Sequence, residues 1–229
     1  MHITLWLDGR RSGRETLALA SQAEQAGWDG VRYGDGLGER ADRPETWAVL
    51  GALAAAVPRI RLEAVVQDDL GRHPAVVAKL ATTVDQLSAG RVLLGLAPSS
   101  GGETRLAETV EVIKNLAQHE RTTFNGRFYQ LQGAPLDPKP VQQPFHLMLV
   151  GGPADLAAKY ADHWSITGDI EAQLTALKRA CDQINRDQTE ITVSATWTDQ
   201  PPQPGIDEWV VPENLLPGDD LRDIRTRSL

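Results

Sequence analysis

The stretch RHPAVVAKLATTVDQLSAGRVLLGLA, residues 72–97, places a helix signal directly before a strand signal. Pro74 stands where a helix would begin and Gly90 where it would end, with apolar residues at helical spacing between them. The run 91–97 that follows is short and almost continuously apolar, which is typical of a strand buried on both faces. A helix that leads directly into such a strand predicts a parallel sheet covered by helices.

The same alternation continues on both sides of this stretch. Strands are predicted at 2–7, 30–35, 59–66, 91–97, 146–151, 163–168, 191–197 and 206–211, and helices at 15–27, 44–56, 73–90, 102–119, 153–161, 170–185 and 219–227. The segment 124–144 is rich in turn residues and is predicted to be irregular. Eight strands that alternate with helices predict an α/β fold, a (β/α)8 TIM barrel, as one domain over residues 1–229.

One unit of this pattern is incomplete. The linker TDQPPQPG, residues 198–205, contains too many prolines for a helix. A parallel crossover normally needs a helix or about a dozen residues. The sequence therefore predicts either a reduced seventh βα unit in a closed barrel or a final strand that pairs differently, and an open doubly wound sheet remains the competing architecture.

Composition excludes several classes of protein. The 229 residues carry a formal charge of −8, which argues against nucleic-acid and anionic-membrane partners. Cys181 is the only cysteine, so the chain has neither a disulfide framework nor a cysteine-ligated metal site. No second ligand pair accompanies Asp162 and His163, so no metal is expected. The N-terminus has no leader pattern and no apolar run approaches membrane-spanning length, which predicts a cytoplasmic protein.

The stretch LMLVGGPADLAAKYAD, residues 147–162, predicts a strand, a glycine turn and a helix. Pro153 is suited to the first turn of that helix. A helix preceded by glycines directs unpaired N–H groups and its positive dipole end toward the turn, which suits a phosphate. From these residues alone, a plain structural turn and a phosphate cradle both remain open.

The stretch 72–97 resembles the signature of the luciferase-like monooxygenase superfamily: His-Pro-Ala at a helix start, a Thr–Asp–Ser–Gly-Arg series, then Leu-Gly-Leu in a strand. The segments 44–66, 124–144 and 149–164 resemble the same family in the same order, so the resemblance covers about 30–197. The segment 176–191 is similar to the branch that uses the deazaflavin coenzyme F420, although the flavin mononucleotide (FMN) branch shares most of these motifs.

The resemblance implies a TIM barrel that binds its cofactor at the carboxyl ends of the strands and acts on a small organic molecule. It implies that the cofactor phosphate lies against the glycine turn, and that a strained, often cis, peptide in the third strand supports the cofactor ring; here that bond is Val65–Val66. The implied cofactor-binding residues are Val65, Val66, Ala97, Gly151, Gly152, Pro153 and Ala154. Relatives often dimerise through outer helices, and the Ala-rich face of 48–56 predicts a homodimer.

The chain departs from the family pattern at three places. Asp35-Gly36 stands where relatives carry Asp-His after the second strand, and Glu63 replaces a usual glycine. The segment 95–102 runs almost directly into the next helix, where relatives have a lid of some length. The chain thus resembles a shortened member of the family, and two alternatives stay open beside a flavin- or F420-dependent oxidoreductase: a non-catalytic cofactor-binding barrel, and a barrel that uses a different small molecule.

Three polar side chains near strand ends are candidate catalytic groups. Asp8 and Asp35 follow the first two strands, where barrel enzymes keep their catalytic residues, and His73 stands just ahead of a helix as a candidate proton donor. Each also fits a capping role. Glu63 is expected to be half of an ion pair with Arg61 or Arg91, or else a buried carboxyl with a raised pKa.

Overall fold

In the computed structural model, eight parallel strands close into a barrel. The structure describes residues 1–35, 43–67, 71–98, 102–198, 203–216 and 221. The strands in chain order are β1 (His2–Trp6), β2 (Gly30–Gly34), β3 (Arg61–Gln67), β4 (Val92–Ala97), β5 (Thr122–Asn125), β6 (Gln130–Ala134), β7 (Leu147–Val150), β8 (His163–Ile166), β9 (Thr192–Thr196) and β10 (Glu208–Pro212). The barrel order is β1-β2-β3-β4-β7-β8-β9-β10, while β5 and β6 form a separate hairpin. The predicted (β/α)8 barrel is confirmed.

Helices connect the strands and cover the barrel. They are α1 (Gly13–Gln25), α2 (Thr46–Ala56), α3 (Pro74–Ser88), α4 (Gly102–Gln118), α5 (Ala154–Tyr160) and α6 (Ile170–Ile184). Their starts follow local rules: Ser12 and Glu15 form a capping box on α1, and the Asp169 side chain caps α6. The helix predicted at 219–227 falls almost entirely outside the described residues.

The final strand closes the barrel in spite of its short connection. Strand β10 pairs in parallel with β9, where Glu208 lies opposite Ser194, and with β1, where Glu208 lies opposite His2. The competing open sheet is therefore wrong. The described part of the connection, 197–198 and 203–207, contains no helix, which agrees with a reduced seventh unit.

The segment 124–144, predicted to be irregular, contains most of a two-stranded antiparallel hairpin. Its turn is attached to α4, because the buried Glu108 carboxylate accepts hydrogen bonds from the backbone N–H groups of Arg127, Phe128 and Tyr129 at 2.7–3.2 Å. Short strands with little apolar alternation gave too weak a signal against the surrounding turn residues.

Side chains of the barrel strands alternate between the helix layer and the barrel interior. The interior has an apolar layer of Val65, Leu93, Ala97, Met148 and Val150, three of which lie at or near the carboxyl ends of their strands. A polar layer lies nearer the amino-terminal ends and contains Thr4, Arg32, Glu63, Ser165, Ser194 and Glu208, all of them buried. None of the described helices has the length and apolar character required to cross a membrane.

Candidate functional site

The glycine turn lies at the carboxyl end of β7, the fifth strand of the barrel. Gly151 and Gly152 have φ angles of +67° and +75°, a region of backbone conformation that residues other than glycine rarely adopt. The Gly151 N–H donates to the Ser165 carbonyl at 2.8 Å, which fixes the turn to the neighbouring strand β8. Pro153 precedes α5 without a side-chain cap, so the first N–H groups of that helix have no intrahelical partner.

The space over this turn is bounded by the shortened connection between β4 and α4. A Cβ built on Gly152 would lie 3.7 Å from Leu106 Cδ2 and 3.9 Å from Pro98 Cγ. These are ordinary contact distances, so the turn needs glycine because of its backbone angles and not because of crowding. The turn therefore presents bare backbone at the mouth of the barrel, next to Pro98 and α4.

The predicted ring-binding residues of β3 and β4 divide between two layers. Val65 and Ala97 belong to the apolar interior layer, 3% exposed in each case, beneath the barrel mouth. Val66 is fully buried in the core between sheet and helices, so only its backbone can face the interior. The described cis peptides are Asp137–Pro138 and Gln143–Pro144, so the expectation of a cis Val65–Val66 bond is wrong. Regular pairing of Val65 with both Gly34 and Gly95 accounts for the ordinary peptide.

Asp35 is held in an ion pair at the carboxyl end of β2. Its Oδ2 accepts from Arg72 Nη1 at 2.8 Å, and its Oδ1 accepts from the Thr46 hydroxyl at 2.7 Å. Arg72 also bonds Glu45 at 2.9 Å. The Asp35 carboxylate is thus fully engaged, which favours a role in fixing the loop between β3 and α3.

His73 is the N-cap of α3. Its Nδ1 accepts a hydrogen bond from the Ala75 N–H at 3.1 Å, so a neutral ring carries its proton on Nε2. The ring packs edge-on against Tyr129 at a centroid distance of 5.3 Å, and the Tyr129 hydroxyl accepts from Arg105 Nε at 3.0 Å. The hairpin thereby reaches the barrel mouth beside His73.

Asp8 lies after β1, and its Oδ1 accepts from the Arg10 N–H at 2.9 Å while its Oδ2 pairs with Arg10 Nε at 3.1 Å. The backbone N–H of Asp8 donates to Glu213, which follows β10. The three predicted catalytic side chains therefore all lie at the carboxyl edge. In the described part of the chain each is bonded to its own neighbours and none to another of the three.

The polar interior layer contains a charge cluster that the sequence only partly predicts. The Glu63 carboxylate is fully buried and pairs with Arg32 Nε at 2.8 Å and with Arg61 Nη2 at 2.7 Å. The expected pairing with Arg61 is confirmed, whereas Arg91 bonds three backbone carbonyls instead. Burial raises the pKa of Glu63, but Arg32 and Arg61 outweigh it and hold the pKa well below its ordinary value. The favoured interpretation of Glu63 as half of an ion pair therefore stands, and its alternative, a raised pKa, does not.

Glu208 and His163 complete this cluster. Glu208 pairs with Arg61 at 2.5 Å, yet burial and the nearby Glu63 charge raise the pKa of Glu208 to about 8. Burial lowers the pKa of His163 to about 3, so its imidazole is neutral in the folded protein at neutral pH. The sequence signal for this cluster was the presence of charged residues inside strands that were predicted to be buried.

A lateral cavity of about 510 Å³ opens at the carboxyl ends of β8 and β9. Its polar lining includes Thr167, Asp169 and Thr196, and Trp209 forms part of its apolar wall. Thr167 would also lie 3.5 Å from a Cβ on Gly151. The cavity therefore adjoins the glycine turn on the side where the barrel has no described seventh helix.

Comparison with known proteins now decides the family. A family model described as luciferase-like monooxygenase matches residues 2–198, which is most of the chain. The chain belongs to the luciferase-like monooxygenase family. An F420-dependent glucose-6-phosphate dehydrogenase from Beutenbergia cavernae is 33% identical over 178 aligned positions, covering 67% of this chain and 52% of that protein. The chain thus spans about half the length of this curated relative.

Solved structures of the family share the barrel. An F420-dependent tetrahydromethanopterin reductase from Methanopyrus kandleri gives a TM-score of 0.77 at 18% identity, covering 85% of this chain and 65% of that one. An F420-dependent secondary alcohol dehydrogenase gives 0.75 at 22% identity, over 85% and 68% of the two chains. A monooxygenase from Streptomyces bottropensis gives 0.74 at 20% identity, over 90% and 73%. At these identities the likeness establishes the fold.

Proposed function

We propose that this protein is an F420-dependent oxidoreductase that acts on a small organic substrate at the carboxyl ends of the barrel strands, with FMN as the alternative cofactor. The observation that carries the proposal is the glycine turn, Gly151 and Gly152, which follows the fifth barrel strand and precedes a helix without a side-chain cap. The turn belongs to a member of the luciferase-like monooxygenase family. The F420-dependent relatives favour F420, and a riboflavin lyase solved with modified FMN, which shares the fold at a TM-score of 0.72, supports FMN as the alternative.

The residues of the barrel mouth fit a phosphate-bearing ring cofactor. Gly152, Pro153 and Ala154 would receive the phosphate, since glycine permits close backbone approach and the helix start supplies free N–H donors. Val65 and Ala97 would form an apolar floor under the ring, with the Val66 backbone beside it. When bound, the deazaflavin or flavin supplies hydride transfer, and the protein supplies binding, orientation and exclusion of water.

His73 is the proposed proton-transferring group. Its Nδ1 accepts the Ala75 N–H in the neutral ring, so to act as an acid the ring would have to release that contact, take up a proton on Nδ1 and then give the proton on Nε2, while Tyr129 packs against it. Asp35 would hold Arg72 and the loop that carries His73 in place. Asp8 would act from the connection that follows β1, two strands along the same part of the barrel mouth from His73.

A non-catalytic cofactor-binding barrel is the second candidate. Only residues 98–101 connect β4 to α4, so the described loops offer little to cover a bound substrate. Turnover separates the two candidates: an enzyme reoxidises its reduced cofactor faster when its substrate is present. If none of the alcohols, aldehydes and ketones tested changes the rate at which the reduced cofactor is reoxidised, the result would favour the binding protein.

The binding test is a fluorescence titration of the protein with F420 and, separately, with FMN. Gly152→Asp adds a carboxylate at the proposed phosphate position and should weaken binding at least about tenfold through charge repulsion. Gly133→Asp is the matched control, because Gly133 also has a positive φ, +57°, in open space on the hairpin. Equal losses in both variants, or no binding of either cofactor at tens of micromolar, would refute the proposal.

A homodimer is the remaining part of the proposal. Ala48, Ala52 and Ala55 are exposed along one side of α2, and small residues allow helices to approach closely. Light scattering after gel filtration should give twice the chain mass of 25.0 kDa, reduced to the chain mass by Ala52→Arg. A wild-type protein that elutes as a monomer at micromolar concentration would contradict the dimer.

A further inference from the structure

A second cavity, the amino-terminal cavity, lies at the opposite end of the barrel from the glycine turn. Its volume is about 260 Å³, and its lining includes Arg61, Arg91, His146 and His163. His2 also lines it, so three of the five histidines of the chain face one cavity. The chain is acidic as a whole, with a formal charge of −8, yet this cavity is lined by two arginines and three histidines against one carboxylate, Asp162.

Of the two guanidinium groups in this wall, that of Arg61 can serve an anion. The Arg61 side chain is 29% exposed, and among the described residues its Nε and Nη2 make the bonds to Glu63, Glu208 and Thr4. Its Nη1 is therefore available to a ligand. Arg91 donates from its three side-chain nitrogens to the backbone carbonyls of 54, 60 and 88, and the charge of the Glu24 carboxylate acts on it.

His163 is an unpartnered polar side chain in the same wall. Its side chain is 5% exposed, and its buried Nε2 has no hydrogen-bond partner, with Glu208 Oε2 3.8 Å away. Buried polar atoms normally have a partner, so this one points to a ligand or an ordered water. Glu208 Oε2 and Ser194 Oγ, which lie on the neighbouring strands β10 and β9, are likewise buried and have no hydrogen-bond partner among the described residues.

The charges of the adjoining interior cluster are consistent with an anion in this cavity. Arg32 and Arg61 are both buried or partly buried, and Glu63 is ionised beside them. Burial and the charge of Glu63 raise the pKa of Glu208, which reduces the compensation that this carboxyl gives to the positive charge of Arg61. Uncompensated charge in a protein interior is costly, and an anion against Arg61 would offset it.

We propose that the amino-terminal cavity binds a small oxyanion of the size of sulfate or phosphate, held by Arg61, His163 and His146. The one carboxylate in the described lining, Asp162, is already bonded to the Leu147 N–H at 2.9 Å and lies 3.8 Å from Lys114 Nζ. The site is separate from the glycine turn, because it lies at the amino-terminal ends of the same strands.

The test titrates the full chain with sodium sulfate and with inorganic phosphate, against sodium chloride at equal ionic strength. Saturable binding by calorimetry and a rise in Tm specific to the oxyanions are expected, because a ligand that binds only the folded state stabilises it. His146 is exposed at the cavity, so His146→Glu should fold normally and weaken binding at least about tenfold by charge repulsion. His119→Glu makes the same change at an exposed site outside the lining and should leave binding intact.

Two further measurements show whether the anion binds in the amino-terminal cavity or at the proposed cofactor site. Gly152→Asp should leave sulfate binding unchanged, which separates this site from the proposed cofactor site. F420, which carries its phosphate on a much larger molecule, should not compete with sulfate. Sulfate that stabilises no more than chloride, equal losses in His146→Glu and His119→Glu, or displacement of sulfate by F420 would overturn the proposal, whatever the cofactor titration shows.

Discussion

At the scale of single residues, substitutions in the interior charge cluster are expected to lower the free energy of unfolding strongly. Glu63 is fully buried between Arg32 and Arg61, and removal of one member of such a group leaves a buried charge unpaired. The charges face each other across three strands, β2, β3 and β10, so the cluster also fixes how those strands meet inside the barrel.

The raised pKa of Glu208 predicts a particular dependence of stability on pH. The folded pKa is about 8 and the ordinary value is 4.5, so near neutral pH the folded protein holds a proton that the unfolded chain has released. Stability must therefore fall as the pH rises through 8. The expected loss between pH 7 and 9 is about 1.4 kcal/mol. His163 does not oppose it there, because its lowered pKa affects stability mainly below pH 7.

Glu208→Gln imitates the protonated carboxyl and should abolish most of this loss. We expect the variant to match the wild type at pH 7 and to exceed its stability at pH 9, measured by urea unfolding in buffers free of phosphate and sulfate. Glu171→Gln is the control, because Glu171 is exposed on α6 and should change neither value. A wild-type protein whose stability is flat between pH 7 and 9 would show that Glu208 ionises normally.

At the scale of elements, His73 has two roles that a pair of substitutions can separate. As the N-cap of α3 it accepts the Ala75 N–H, a contact that Asn can replace and Ala cannot. His73→Ala should cost about 1 kcal/mol of unfolding free energy, while His73→Asn should cost much less. If His73 also transfers a proton, both variants lose turnover to a similar degree. Turnover that survives in the Asn variant would leave His73 as a cap alone.

Most elements were predictable because their signals are local. Pro74 and the apolar spacing after it located α3 to within about two residues, and Gly-Gly located the turn before α5. The hairpin β5–β6 was missed because its stability depends on a distant contact, the Glu108 carboxylate on α4, that no short window of sequence contains. The pairing of Val65 on both sides, which keeps its peptide regular, is likewise a tertiary property.

At the scale of the whole molecule, barrel closure divides the protein into two ends with different chemistry. The carboxyl end has the glycine turn, an apolar floor and the proposed catalytic groups. The amino-terminal end has arginine and histidine side chains around a small cavity. The sequence predicted the strand, glycine turn and helix of the first end, because family motifs mark them, and the site there stays a prediction. It could not predict the second, because Arg61, Arg91, His146 and His163 lie on separate strands and connections that only the closed barrel brings together.

The most direct test of the central claim, that the cofactor phosphate lies on the glycine turn, is an NMR titration with F420 of protein labelled with ¹⁵N at its 20 glycines. Gly152→Ala identifies the Gly152 amide signal, and Gly90 in the amino-terminal cavity and Gly133 on the hairpin serve as internal references. The account predicts that the Gly151 and Gly152 amides shift strongly and saturably while those of Gly90 and Gly133 stay in place. Saturable binding that moves Gly90 or another glycine and leaves Gly152 unchanged would contradict it.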